Sequence, residues 1–265
     1  MRKLPVTSAL NHAFRSTRDN LAFAFHVSWP WMVILVPLNV GANLYLILNG
    51  LGDPEHVEPR ALAVMLPVFA ASIVAYASIA VNWHRYVLLD EVALGWQRLR
   101  IDALMWRYIG NGFLIGVILI AGAFAAGLGI ALIAMIFGAV FGKAAVIMVA
   151  PAILALYAGV LVAAYRLSVK LPAIALGRSD FSLKDAWSAT EDNFWQLLGL
   201  IVLFIICVLT VAFGMFLISY AFGTLGAVGL SVALAIQVLI NWAATILGVT
   251  LLTSLYGFFV EGRNF

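Results

Sequence analysis

Six stretches of this chain run for about twenty residues or more without a charge: 28–48, 61–82, 110–137, 144–165, 196–221 and 232–256. Crossing the hydrocarbon layer of a bilayer takes roughly 20 apolar residues in a helix. In lipid the backbone must satisfy its own polar groups, and runs this continuous lack the in–out alternation of a barrel strand. The pattern therefore predicts six transmembrane helices in an all-α polytopic bundle, with residues 1–265 forming a single transmembrane domain.

The polar segments between the runs are not random. Leu10, Ala13, Phe14, Thr17 and Asn20 match Ile101, Leu104, Met105, Tyr108 and Asn111 at a constant offset of 91, then Leu183, Ala186, Trp187, Thr190 and Asn193 at a further 82. Each match precedes a pair of apolar runs, so the sequence reads as three parallel two-span repeats, about 8–91, 92–173 and 174–258, related by an axis along the membrane normal. Positions 10, 13, 14, 17 and 21 are apolar or small at helical spacing while Asn11, Arg15, Ser16 and Arg18 face away, the pattern of a short helix in the headgroup plane. In the third copy Ser182 with Asp185 three residues on predicts a capping box. The middle copy is less clean, since Trp106 and Ile109 add apolar bulk to its polar side.

Charge fixes the expected orientation. Only 10% of residues are charged and 65% are hydrophobic, against about a quarter charged in soluble domains. Of 15 basic residues, Arg60 and Lys143 alone fall on one side of the predicted spans, and the other thirteen, Arg85 and Arg166 among them, fall on the opposite side. Basic residues near span ends stay cytoplasmic, so both termini are expected there. No basic run with interleaved aromatics leaves the membrane surface, so nucleic acid is not an expected partner. Polar residues precede the first run and no short h-region with a small-residue cleavage site follows, so no signal peptide is expected. The lone cysteine, Cys207, lies inside the fifth run and offers neither a disulfide nor a thiolate metal site. Eleven arginines against four lysines, with abundant alanine, suggest a bacterial inner membrane.

Candidate chemistry is sparse. No Asp or Glu lies within the six runs, which disfavours a proton-coupled transporter built on a buried carboxylate. Nucleophile–base pairs, paired carboxylates and metal clusters are not visible, so neither catalytic residues nor a cofactor is expected. Asp53, Glu55, His56 and Glu58 crowd the first outer turn, where a solvated polar turn competes with metal binding. His26 and His84 both fall near cytoplasmic span ends, raising a bis-histidine site against the simpler reading of headgroup-level histidines bonded to lipid phosphate or a carbonyl. Gln237, Asn241 and Thr245 share one face of the sixth span, and Asn39 and Asn43 pair in the first. Such groups either bond across helices or line an uncharged polar path. Asn20, Asn111 and Asn193 each mark the joint between short helix and span, where an amide caps a bend or, with Arg85 and Arg166, builds a lipid-headgroup or partner-docking site. Trp29, Trp31, Trp83, Trp106, Trp187 and Trp195 cluster at span boundaries as expected interfacial anchors.

Trp83-His84-Arg85-Tyr86-Val87-Leu88-Leu89, Leu171-Pro172-Ala173-Ile174-Ala175-Leu176-Gly177 and Ala186-Trp187 before Asn193 resemble segments of a broad group of bacterial six-span proteins. Some relatives of that group form the membrane domain attached to glycerophosphodiester phosphodiesterases. The resemblance implies an integral membrane protein and transfers no catalytic residue. Two functions follow as expectations: a non-enzymatic protein that binds lipid or docks a larger membrane complex through its cytoplasmic face, or a small transporter with Asn39, Asn43, Gln237 and Asn241 along its route.

Overall fold

The computed structural model describes residues 2–51, 58–223 and 226–265. Its described regular elements are helical throughout: α1 (Val6–Asp19), α2 (Leu21–Leu48), α3 (Pro59–Leu89), α4 (Ala103–Phe141), α5 (Ala145–Ser168), α6 (Lys170–Ala175), α7 (Leu183–Ala189), α8 (Phe194–Gly223) and α9 (Gly226–Phe259). Six of them are long and apolar enough to cross a membrane, and each contains one of the charge-free runs. Asp53, Pro54, Glu55 and His56 of the crowded first turn lie outside the described residues.

The spans pair as hairpins, α2 with α3, α4 with α5 and α8 with α9. Neighbouring hairpins meet through α3 and α4, α5 and α8, and α3 and α9, which closes a ring. Inside the ring the ends of α3, α6 and α9 touch one another pairwise. Burial is concentrated there: Trp83 and His84 of α3, Ala173 and Ala175 of α6, and Leu255 and Tyr256 of α9 are fully buried. The opposite halves of the spans, toward the hairpin turns, keep long apolar side chains exposed, as lipid-facing helices do. The packed end, which also carries both chain termini, is the collar of the molecule.

Three expectations need correction. The middle copy has no separate short helix, because 103–141 is one continuous helix and Asn111 lies inside it. Gly110 does not take the left-handed backbone that ends a helix, whereas the third copy breaks at Asp192 with φ 60°. Next, α1 does not lie free in the headgroup plane. Its stripe, Ala9, Ala13 and Thr17, is buried against α8 and α9, and it climbs along α9 through His12–Ser254 and Thr17–Thr250 bonds, each 3.0 Å. Finally, Trp31 and Trp83 are core residues, not interfacial anchors: Trp31 donates to the Ser78 hydroxyl at 3.0 Å, and Trp83 packs against Phe23 and Tyr86.

Candidate functional site

The collar is built by arginines that bond inward. Arg85 donates from Nε to both oxygens of Glu91 at 2.9 Å, from Nη2 to the same carboxylate, and from Nη1 to the Ala175 carbonyl at 3.0 Å. Arg100 adds a 3.1 Å bond to Glu91 and reaches the Asn82 carbonyl oxygen at 2.8 Å, while the Asn82 amide donates to the Gln97 and Arg98 carbonyls. Asp102 completes the loop by capping α4 at the Met105 N–H. The Arg85 hydrogen bond holds the Glu91 carboxyl below its ordinary range. Arg166 donates to the Thr190 hydroxyl at 2.9 Å and the Trp187 carbonyl at 2.7 Å, its guanidinium 3.7 Å above the Trp187 ring.

The five residues expected to form one headgroup or docking site are therefore spread over separate structural tasks. Asn20 donates to the Ser16 carbonyl at 2.8 Å and accepts from Tyr86 at 2.9 Å, joining α1, α2 and α3. Asn193 is fully buried and accepts from the Leu4 N–H at 2.9 Å while donating to the Arg2 and Glu191 carbonyls, fastening the N-terminal segment to the α7–α8 joint. Asn111 bonds only one turn back, to the Arg107 carbonyl. The guanidinium donors of Arg85 are spent on Glu91 and Ala175.

The histidines do not meet. His26 lies 3.1 Å from the Ala93 carbonyl. His84, fully buried, places Nδ1 2.8 Å from the Thr253 hydroxyl and Nε2 3.3 Å from the Tyr108 hydroxyl. Thr253 donates its own proton to the Val249 carbonyl, so Nδ1 carries the hydrogen and Nε2 accepts from Tyr108, a neutral imidazole. Tyr108 in turn faces Tyr76. This network joins α3, α4 and α9 and escaped the sequence reading. The signal was present in Thr250, Thr253 and Ser254, three hydroxyls on the last turns of an apolar helix.

A groove of about 790 Å³ lies between α8 and α9. Phe14, Thr17 and Arg18 of α1 close its collar end, Gln237 and Asn241 stand along its α9 wall, and Ser219 lies nearer the far end of α8. Its walls are otherwise apolar apart from Cys207, and Val211 and Phe216 remain exposed along it, so it is open sideways. From Gln237 to Leu247 the groove follows α9 for about 15 Å at 1.5 Å per residue. A second groove of about 390 Å³ lies between α2 and α3 and contains Asn39 and Ser72. Asn39 donates to the Leu35 carbonyl and Asn43 to the Asn39 carbonyl. Of the four amides expected to line one path, Gln237 and Asn241 line one groove, Asn39 lines another on a different hairpin, and Asn43 lines neither. Among the described residues no group of three or more metal-ligating side chains converges.

Comparison with protein-family models, with curated proteins and with solved structures finds no match for this chain.

Proposed function

We propose that this is a non-enzymatic lipid-binding protein of a bacterial inner membrane, whose ligand lies in the groove between α8 and α9. The single observation that carries the reading is that groove: about 790 Å³, apolar along its walls and open sideways at the depth of the spans. Pockets of this size bury most of a medium-sized ligand, and a site open to the bilayer is filled from the bilayer. Membrane lipids are then the partners, and no reaction is assigned. The division of the amides between two grooves favours this reading over a transporter with one polar route.

Both termini belong on the cytoplasmic side in this reading, because thirteen of the 15 basic residues gather at the collar end of the spans. The triplicated hairpin is part of the same proposal. It is supported by the ring of three hairpins and by arginine bonds that tie the collar segments after the returning spans to other spans and segments: Arg85 to the Ala175 carbonyl, Arg178 to the Tyr256 hydroxyl and Arg263 to the Leu88 carbonyl.

Native mass spectrometry after purification in nanodiscs tests the function. Ala212→Trp and Ala244→Trp, on opposite walls of the groove, are expected to release the retained lipid, whereas Phe113→Trp on exposed α4 keeps it. Equal lipid retention in all three variants would remove the reading.

A further inference from the structure

Polar side chains inside the spans are nearly all satisfied one turn back. Asn39, Asn43, Ser72, Asn111, Thr210, Thr245 and Thr250 each bond the carbonyl four residues earlier. The side chains of Gln237 and Asn241 make no hydrogen bond among the described residues, and both line the α8–α9 groove. They are exposed within it, one turn apart on α9. Hydrogen-bonding groups left bare in lipid are costly, so the pair marks where a polar atom of the ligand sits.

We propose that the ligand is an ester-linked glycerolipid whose ester carbonyls accept hydrogen bonds from the amides of Gln237 and Asn241. One acyl chain runs from there toward Leu247 and Phe14. This deepens the lipid reading above and rests on it. The donor set selects the class. Among the described lining residues Arg18 is the one cation or anion; it lies on α1 at the collar end, beside Thr17, which bonds Thr250 nine residues beyond Asn241, and it pairs with Asp19 at 3.0 Å. A phosphate or a free carboxylate at the amides would lack a cation there. Neutral amide N–H donors instead match uncharged carbonyl oxygens, which flank the start of an acyl chain in a glycerol ester. The amides lie toward the hairpin turns, so the lipid comes from the leaflet on that side.

The experiment offers the full-length protein an equimolar mixture of a dioleoyl diester lipid and its diether analogue with the same headgroup, and reads the bound species by native mass spectrometry. The diether keeps chains and headgroup but lacks both carbonyls. Wild type is expected to retain the diester by roughly sevenfold, the effect of two hydrogen bonds of the average strength found between membrane helices. Q237L/N241L is expected to bind both equally while remaining folded, because these side chains support no internal contact by hydrogen bond. Equal retention by the wild type overturns the inference and leaves the groove reading standing. A preference that survives in Q237L/N241L also overturns it. Loss of sensitivity to Ala244→Trp, by contrast, removes the groove reading itself.

Discussion

His84 and His12 show how much one side chain settles at the collar. His84 is sealed between Thr253 and Tyr108 with no water-exposed surface, so both ring nitrogens must find partners inside the protein. His84→Ala opens a cavity and strips Tyr108 of its acceptor; the expected cost is about 2–4 kcal/mol, measured as a lowered midpoint of unfolding in detergent. His12 is a milder case outside the spans, with Nδ1 3.0 Å from the Ser254 hydroxyl and its ring against Phe265. Burial pushes its pKa below the ordinary 6.5, so the fold favours the neutral ring. The unfolded chain takes up the proton first as pH falls. Stability from this residue is thus complete above pH 6.5 and declines below it until the folded value is passed. Melting temperatures at pH 7.5 and 5.5 should therefore differ more in wild type than in His12→Gln. Neither role was legible in the sequence, because a histidine beside an apolar run looks the same whether it meets a headgroup or a threonine. Asn20 and Asn193 were legible as joints, since an amide recurring before an apolar run is best used on backbone groups, and that is where both amides go.

At the scale of elements, the charge-free runs announced the spans, but the collar depends on pairings between segments far apart in the chain. The loop after α3 is held by Arg85, Asn82 and Arg100 around Glu91, partners 6 to 18 residues apart that no periodicity relates. Gly95, Gly177 and Gly262, each downstream of a returning span, take left-handed φ of 54°, 81° and 69°, where a side chain would be strained. Glu91 gives this loop a pH signature. Its folded pKa is depressed from 4.5, first by the Arg85 hydrogen bond, so its contribution is complete above pH 4.5 and is lost as pH drops through the folded value. With the Glu91 side chain 36% exposed, solvent screening keeps the effect small, on the order of 1 kcal/mol. Glu91→Gln should remove this acid dependence: protection of the amides at 90–102 is expected to fall below pH 4.5 in wild type and to be lower, and no longer to change there, in the variant. Arg263→Ala tests the ring in the same way, and faster exchange is expected at the end of α3, where Arg263 binds the Leu88 carbonyl at 3.1 Å.

The whole molecule is asymmetric along the membrane normal. One end is a packed collar that brings Arg2 onto the Gly262 carbonyl at 2.7 Å, and the other is a set of hairpin arms whose exposed apolar side chains meet lipid. The Thr17–Thr250 and His12–Ser254 bonds tie α1 to α9 at the collar end, and the hairpin arms form the other end. Which leaflet that end faces follows from the positive-inside bias and can be measured directly. The chain has one cysteine, Cys207, in the groove, so Cys207→Ser supplies a thiol-free background. A membrane-impermeant maleimide added to intact spheroplasts should label Glu58→Cys at the start of α3 at once, and Trp96→Cys in the loop between α3 and α4 only after the membrane is opened. Both sites are exposed in the folded protein, so burial does not confound the readout. The reverse pattern would place the collar outside and the hairpin turns of the three pairs on the cytoplasmic side.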